Sequence, residues 1–163
     1  MKVGILSDTH GACAITKIVA EQMLKAQIDA VFHCGDFGGA KTLTLLSSIF
    51  YPLNIPVYIV LGNVDPPYRS APEGITLLDR FGTITCAGKQ IALLHGDDRK
   101  RLQTAIFSKE FDLVFSGHTH TPHDYTIGKT RCINPGSVSW GRGSPESFAI
   151  LDLDSKKLSI QSC

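Results

Sequence analysis

Residues 2–10 (KVGILSDTH) and 113–120 (LVFSGHTH) decide the fold, since each joins a short apolar run to a cluster of polar residues. An apolar run without alternation is typical of a strand that is covered on both faces, as in a parallel sheet flanked by helices. Working outward, three further runs have the same form, at residues 30–34, 57–61 and 91–94. The chain is therefore expected to contain a buried, largely parallel sheet.

The segments between these runs complete an α/β pattern. Apolar residues at helical spacing predict helices at residues 15–26 and 40–50, and a third helix is expected at residues 99–109. Strand–helix alternation of this kind predicts right-handed parallel βαβ units in the first two-thirds of the chain. Later segments predict hairpins and short antiparallel strands, with turns at Gly88–Lys89, Gly128–Lys129 and residues 154–156. Two face-to-face sheets with helices outside, in one domain over residues 1–163, would accommodate these elements; their order is left open.

Composition excludes several classes of protein. The chain has 163 residues, with 16 Lys and Arg against 15 Asp and Glu, so its net charge is +1. A balanced charge argues against a nucleic-acid binder with a broad basic face, so nucleic acid is considered only as a substrate. No apolar run reaches the ~18 residues of a membrane span, and the first residues do not resemble a secretory signal. Five cysteines without a C-x-x-C pair are expected to be reduced thiols, and we expect a cytoplasmic protein.

The polar residues that follow the buried runs predict a metal site. Strand ends of an open α/β sheet meet at one edge, and residues i and i+2 of an extended segment point the same way. Carboxylate and imidazole are ligands for manganese, nickel, iron, zinc or cobalt, and seven candidates suit two cations better than one tetrahedral ion. The candidates are Asp8, His10, Asp36, Asn63, His95, His118 and His120.

Each candidate also has a purely structural explanation. An Asp or Asn at a strand end is usually a turn former or a helix cap, and a single His there is often only a hydrogen-bonded polar group. The set as a whole argues for ligands, because four of the six histidines end apolar runs. Asp65 has two interpretations: an acceptor that fixes a ligand histidine, or a cap for the turn before Pro66 and Pro67.

These blocks, in this order, resemble those of the calcineurin-like metallophosphoesterase superfamily. They are D-T-H (8–10), G-D (35–36), G-N-V-D (62–65), H-G (95–96) and G-H-T-H (117–120), and N-P-G-S (134–137) resembles a block of its small, single-domain phosphodiesterase branch. The resemblance implies a four-layer αββα sandwich of two mixed β-sheets flanked by helices. It also implies a phosphodiesterase or phosphatase that acts on phosphoester substrates.

The resemblance further implies how two divalent cations, with manganese favoured, would be held. The first would be bound by Asp8, His10, Asp36 and His120, and the second by Asp36, Asn63, His95 and His118. Asp36 would bridge them, and a hydroxide between the cations would attack phosphorus. Asn63 and Asp65 are the residues to which we assign catalytic roles beyond simple ligation.

One block departs from the superfamily pattern. The residue after Asn63 is usually a His that protonates the leaving group, and here it is Val64. General-acid help is typically worth ~10²–10⁴ in rate, so slower turnover or a good leaving group is expected. His123 and His33 are possible substitutes, although His33 lies in an apolar run and fits core packing better. A second reading is a scaffold without catalysis, like the retromer-type subunit of the superfamily.

Two other features have weaker interpretations. The charged residues 97–101 are either a solvated helix start or a rim for an anionic substrate. Trp140 and Arg142 either border the cleft or lie in an exposed loop, and Trp140 could contribute to a homodimer.

Overall fold

The computed structural model, which describes residues 1–139 and 143–163, contains two mixed β-sheets packed face to face. In chain order the strands are β1 (Lys2–Leu6), β2 (Ala30–His33), β3 (Val57–Ile59), β4 (Ile75–Leu77), β5 (Phe81–Cys86), β6 (Lys89–Leu94), β7 (Leu113–Phe115), β8 (His123–Ile127), β9 (Thr130–Asn134), β10 (Ser147–Asp152) and β11 (Leu158–Ser162). The helices are α1 (Cys13–Lys25), α2 (Ala40–Phe50) and α3 (Arg99–Phe107), with a 3-10 turn at Tyr51–Leu53.

The first sheet has the strand order β11-β10-β1-β2-β3-β4. Strands β1 to β4 are parallel neighbours, with Val3 opposite Ala30 and Val31 opposite Val57, which confirms the predicted βαβ units. Strand β10 pairs antiparallel with β1, and the β10–β11 hairpin closes that edge as predicted. The carboxyl ends of β1, β2 and β3 therefore lie side by side.

The second sheet has the order β5-β6-β7-β9-β8. The hairpins β5–β6 and β8–β9 are antiparallel as predicted. The expectation of only antiparallel strands after Asp124 is wrong, because β9 pairs in parallel with β7, with Leu113 opposite Arg131. The β8–β9 hairpin places its second strand on the free edge of β7, so both run in the same direction.

Four layers result from this packing. Side chains such as Val3, Ile5, Phe32 and Phe115 fill the space between the sheets. Helices α1 and α2 cover the outer face of the first sheet, and α3 covers the second through Ala105 and Ile106. The αββα sandwich is confirmed, with two helices on one side and one on the other. No helix in the described ranges is long and apolar enough to cross a bilayer.

Local differences from the sequence prediction have physical reasons. Strand β4 was not predicted, because it has three residues and none is buried. The β5–β6 turn is centred on Ala87–Gly88 rather than Gly88–Lys89, and both residues adopt the left-handed backbone of a tight turn. All five cysteines are free thiols. Trp140 and Arg142 lie outside the described residues.

Candidate metal centre

Five loops meet at one end of the sandwich, each directly after a buried strand. They follow β1, β2 and β3 of the first sheet and β6 and β7 of the second. The loops place six of the seven predicted ligands around common centres: Asp8, His10, Asp36, Asn63, His95 and His120. The floor is buried, whereas His10 and Asn63 are exposed, so the site opens to solvent on one side.

The donor atoms form two adjoining groups that share Asp8. In the first, Asp8 Oδ1 lies 3.1 Å from His120 Nε2 and 3.8 Å from His10 Nε2. In the second, Asp36 Oδ2 lies 3.2 Å from His95 Nε2, which is 4.0 Å from Asp8 Oδ1. Asn63 Oδ1 is 3.1 Å from the same nitrogen of His95. Asp36 Oδ2 also lies 4.0 Å from His10 Nε2, so both carboxylates face both groups.

The backbone reaches this arrangement through left-handed turns and not through extended strand ends. Five candidate ligands have positive φ: Asp8 at 54°, His10 at 44°, Asp36 at 55°, His118 at 67° and His120 at 60°. The predicted i, i+2 geometry of an extended segment is therefore wrong for both D-x-H and H-x-H. Non-glycine residues in this region cost about 1–3 kcal/mol each and cluster at functional sites.

The contacts of His95 determine which of its ring nitrogens faces the second group. Its Nδ1 lies 2.8 Å from the carbonyl oxygen of Cys34, which can only accept, so Nδ1 carries the proton. Nε2 then faces two oxygens, Asp36 Oδ2 at 3.2 Å and Asn63 Oδ1 at 3.1 Å. Burial lowers the pKa of His95, but the Asp36 carboxylate outweighs it and raises the pKa overall. A cation among these three atoms would satisfy all of them without a proton.

The described residues donate hydrogen bonds to one carboxylate oxygen of Asp8 and leave the other oxygen without a donor. Its Oδ2 accepts hydrogen bonds from Ser7 Oγ at 2.5 Å and from the His118 amide at 3.1 Å. Its carbonyl oxygen accepts from the hydroxyls of Ser137 at 3.1 Å and Ser139 at 2.9 Å. Asp8 Oδ1 is buried and accepts no hydrogen bond from the described residues. A buried carboxylate oxygen without a donor is costly, and a metal ion would balance it.

Two glycines allow the loops to approach these carboxylates. A Cβ at Gly62 would lie 1.9 Å from Asp36 Oδ1, and one at Gly117 would lie 1.9 Å from Ser7 Oγ and 2.7 Å from Asp8 Oδ2. Neither glycine has a positive φ, so close approach is the reason for both. The space beside each carboxylate therefore depends on the missing side chain.

Asp65 binds backbone amides and not an imidazole. Its carboxylate accepts from the N–H groups of Phe37 at 3.2 Å, Gly38 at 3.0 Å and Gly62 at 2.9 Å. Of its two sequence interpretations, the contact with Gly62 matches a cap of the turn before Pro66, whereas the contacts with Phe37 and Gly38 join Asp65 to the loop after β2 and were not predicted. Asp65 was also considered as the acceptor that fixes a ligand histidine. For His95 that acceptor is the carbonyl oxygen of Cys34.

His33 is buried in the core, as predicted, and its ring nitrogens also join the first two loops. It is fully buried; Nδ1 accepts from the Gly35 amide at 3.1 Å, and Nε2 lies 2.9 Å from Thr9 Oγ1. The Thr9 hydroxyl in turn donates to the Phe37 carbonyl at 3.2 Å. Nothing in the sequence beyond the position of His33 before Gly35–Asp36 indicated this link.

The remaining candidates lie around the centre. The His118 ring packs edge-on against His95 with centroids 5.1 Å apart, and burial lowers its pKa. Val64 is 57% exposed at the rim, and its amide donates to Asp36 Oδ1 at 3.1 Å. His123 lies on β8, where its ring contacts Tyr125, and burial lowers its pKa.

The charged residues 97–101 begin α3. Asp98 Oδ1 caps the helix by accepting from the Arg101 amide at 3.0 Å. Asp97 forms an ion pair with Arg80, whose other terminal nitrogen donates to the Gly62 carbonyl at 3.1 Å. These contacts match a helix start, and they connect that start to the Gly62 loop.

Sequence reasoning missed the serine and asparagine contacts that support the centre. Asn134 Nδ2 donates to the Gly117 carbonyl at 2.7 Å and to Thr119 Oγ1 at 3.1 Å, which fixes the loop of His118 and His120. The N-P-G-S block was the available signal. Asn134 is the last residue of β9, a strand beside β7, and this position explains the contact.

Comparisons with known proteins agree with this geometry. A family model described as "Calcineurin-like phosphoesterase superfamily domain" matches residues 1–156. A phosphodiesterase of Methanocaldococcus jannaschii is 28% identical over 163 residues, which cover 96% of each chain. The solved structure of a novel archaeal phosphodiesterase has a TM-score of 0.88 at 26% identity and covers 100% of both chains. Zinc-bound Vps29 from Entamoeba histolytica has a TM-score of 0.72 at 22% identity, with 98% of this chain and 90% of that chain covered, so it shows the fold alone.

Proposed function

The chain belongs to the calcineurin-like phosphoesterase superfamily of metal-dependent hydrolases, and from this we propose that it is a phosphodiesterase using two divalent cations. The observation that carries the proposal is the convergence of carboxylate and imidazole ligand atoms in two adjoining groups. Asp8 Oδ1 accepts no hydrogen bond from the described residues, and His95 Nε2 lies 3.2 Å from Asp36 Oδ2. The 28%-identical phosphodiesterase of M. jannaschii supports the same activity.

The family pattern suggests how the ligands are divided between the cations. Asp8, His10 and His120 would hold the first cation, and His95 and Asn63 the second. His118, whose ring packs against His95 outside the two groups, would be a further ligand of the second cation. Asp36 would contact both, since its Oδ2 faces His10 and His95 at 4.0 and 3.2 Å. When bound, such a pair lowers the pKa of a water between the ions and offsets negative charge on the phosphoryl oxygens. Manganese is our first choice among the ions that suit imidazole and carboxylate.

The chain's own residues prepare the site for this chemistry. The Cys34 carbonyl keeps the proton on His95 Nδ1, so Nε2 is free to bind a cation. Asp65 holds the amides around Gly62 and thereby positions Asn63, whose exposed side chain lies where a substrate would enter. We propose that Asn63 contacts the substrate as well as a cation and that Asp65 acts as a positioning residue.

Val64 sets the expected substrate preference. Its isopropyl group lies at the exposed rim, where it has no proton to donate to a departing oxygen. Phosphodiesters whose leaving group departs as a stable anion are therefore the preferred class, and nucleic-acid ends are included only if they meet that condition. A cytoplasmic location and a homodimer stay predictions.

The test combines activity with metal content. Purified protein is incubated with Mn²⁺ and bis(p-nitrophenyl) phosphate, and bound metal is counted by mass spectrometry after desalting. We expect turnover with two ions per chain. Asp36→Asn should lose at least ~10²-fold in rate and bind less than two ions, because the proposed bridge loses its charge. Glu21→Gln, an exposed change on α1, is the matched control and should behave as wild type.

The second candidate function is a protein-interaction scaffold. Val64 favours it, since a scaffold needs no general acid, and the fold is shared with Vps29. Two bound ions with no turnover on aryl phosphodiesters or monoesters, for any divalent metal, would support the scaffold and exclude the phosphodiesterase.

A further inference from the structure

A second cleft lies at the end of the sandwich opposite the candidate metal centre. Strand β7 enters at Leu113 beside the cleft and leaves towards the loop of His118, so the two sites lie at opposite ends of the same strand. The cleft has a volume of about 220 Å³ and lies between the edges of the two sheets. Drug-sized ligands need ~300–1,000 Å³, so an occupant here would be smaller.

The floor of this basal cleft is apolar. Leu113 of the second sheet and Leu151 and Leu153 of the first line it, and each is less than 10% exposed. All three leucines belong to the core between the sheets, so they expose little area themselves. The hydrophobic gain on binding would therefore come mainly from the apolar surface that the ligand removes from water.

The rim of the basal cleft is cationic. Lys89, Lys129, Arg131 and Lys156 line it, against the carboxylates of Asp112 and Asp152. The carboxylates already accept backbone amides: Asp112 from Gln90 at 2.9 Å, and Asp152 from Asp154 and Ser155 at 3.0 and 3.2 Å. None of the three lysines forms an ion pair with a described residue.

Arg131 is already paired with a carboxylate, so it shapes the rim but is not expected to bind an anion. Its Nε and Nη2 each lie 2.7 Å from an oxygen of Asp124, a two-point contact that lowers the pKa of Asp124. Its Nη1 donates to the Lys156 carbonyl at 2.6 Å, across the two sheets. Lys156 has a φ of 61°, a conformation uncommon for a long side chain, and this contact helps to fix it at the mouth.

We propose that the basal cleft binds a small organic anion, with an aromatic or short aliphatic body on the leucine floor and an anionic head between the lysines. The cleft volume limits the size of the ligand, and the leucine floor favours an apolar body. The three lysines without ion pairs favour an anionic head. A bare inorganic anion would leave the floor uncovered, and a neutral hydrocarbon would leave the lysines without a partner. The proposal is independent of the chemistry at the metal centre.

The test uses 2-naphthalenesulfonate, an aromatic anion that a phosphoesterase cannot hydrolyse. The full chain, loaded with diamagnetic Zn²⁺, is titrated and followed by amide NMR shifts. We expect a Kd of about 0.1–1 mM, the range of a fragment-sized ligand. Shifts should centre on residues 113, 126 and 151–153. Methanesulfonate, which has the head without the body, should bind at least about tenfold more weakly.

Two variants distinguish binding in the basal cleft from non-specific attraction of the anion to exposed lysines. The double variant Lys129→Gln/Lys156→Gln should weaken the binding of 2-naphthalenesulfonate at least about fivefold, because the anionic head loses two partners. Lys157→Gln removes a neighbouring exposed charge outside the cleft and should bind as wild type. Equal affinity for both variants would overturn the proposal, as would shifts confined to the loops of Asp8, His95 and His118. The melting temperature of each variant confirms that it is folded.

Discussion

His33 provides a sharp test of the hydrogen bonds that join the loops of the candidate metal centre. Both of its ring nitrogens are used: Nδ1 accepts from the Gly35 amide, so Nε2 carries the proton and donates to Thr9. A second proton would have to displace the amide contact. Burial, and then the charge of His95, lower the pKa of His33 from 6.5 to about 3. The perturbation is His33→Gln, which removes the titrating group.

The magnitude follows from the difference between the folded and unfolded pKa of His33. Between pH 3 and 6.5 the unfolded chain binds a proton at this side chain that the folded chain does not, so His33 makes stability fall as the pH falls through that window. From pH 7 to pH 5 the loss is about 2 kcal/mol. A folded pKa below 3 gives the same figure, because the folded ring is neutral throughout.

The assay is urea unfolding with EDTA present, at pH 7 and pH 5, for wild type and His33→Gln. At pH 7 the variant should be about 1–3 kcal/mol less stable, because buried hydrogen bonds are disturbed. At pH 5 the difference should shift by about 2 kcal/mol in favour of the variant. Thr9→Val is the matched control: it breaks the same chain of hydrogen bonds but keeps His33, so its deficit should be equal at both pH values. A His33→Gln deficit that does not change with pH would refute the buried, neutral imidazole.

Three further predictions concern the centre itself. Val64→His should raise the rate on alkyl phosphodiesters by up to ~10²-fold and leave p-nitrophenyl esters nearly unchanged, as measured by the ratio of the two kcat values; an equal gain on both would argue against proton donation. Gly62→Ala should weaken Mn²⁺ binding at least about tenfold in a calorimetric titration, because its Cβ would displace Asp36. The control Gly128→Ala has nothing within 4 Å of its added carbon; its φ of 60° strains the β8–β9 turn and costs stability, but its affinity for Mn²⁺ should stay that of wild type. Removing divalent ions with EDTA should lower the melting temperature, and Mn²⁺ at 100 times its Kd should restore about 2.7 kcal/mol of stability. If neither EDTA nor Mn²⁺ changes the melting temperature, the folded chain does not form a metal site.

The sequence predicts the main strands and their polar ends because a buried parallel strand can be identified from a short stretch of sequence by itself. An apolar run followed by Gly35–Asp36 or Gly117–His118 can be identified without knowledge of the neighbouring strands. The layers and the converging donors followed from that signature and from the family blocks. Strand β4 and the parallel pairing of β9 with β7 did not follow, since they depend on which edge is free after the rest of the sheet has formed.

The shape of the site depends on contacts between residues far apart in the chain. The hydroxyls of Ser137 and Ser139 reach the Asp8 carbonyl across more than 120 residues, and no local spacing indicates such a pair. The left-handed conformation of Asp8 and His10 is likewise imposed by tertiary contacts, against their own backbone preference. The cap formed by Asp65 was one of two alternatives that residue type alone could not separate.

The way Asp8 is secured makes the candidate metal centre depend on both sheets. Asp8 follows β1, yet its side chain and carbonyl oxygen are anchored by the His118 amide and by the hydroxyls of Ser137 and Ser139, more than 100 residues along the chain. A fragment that ends after β4 would keep Asp8, Asp36 and Asn63 but would lose these anchors. Its oxygen ligands would not be held in place, so we expect such a fragment to bind divalent ions poorly.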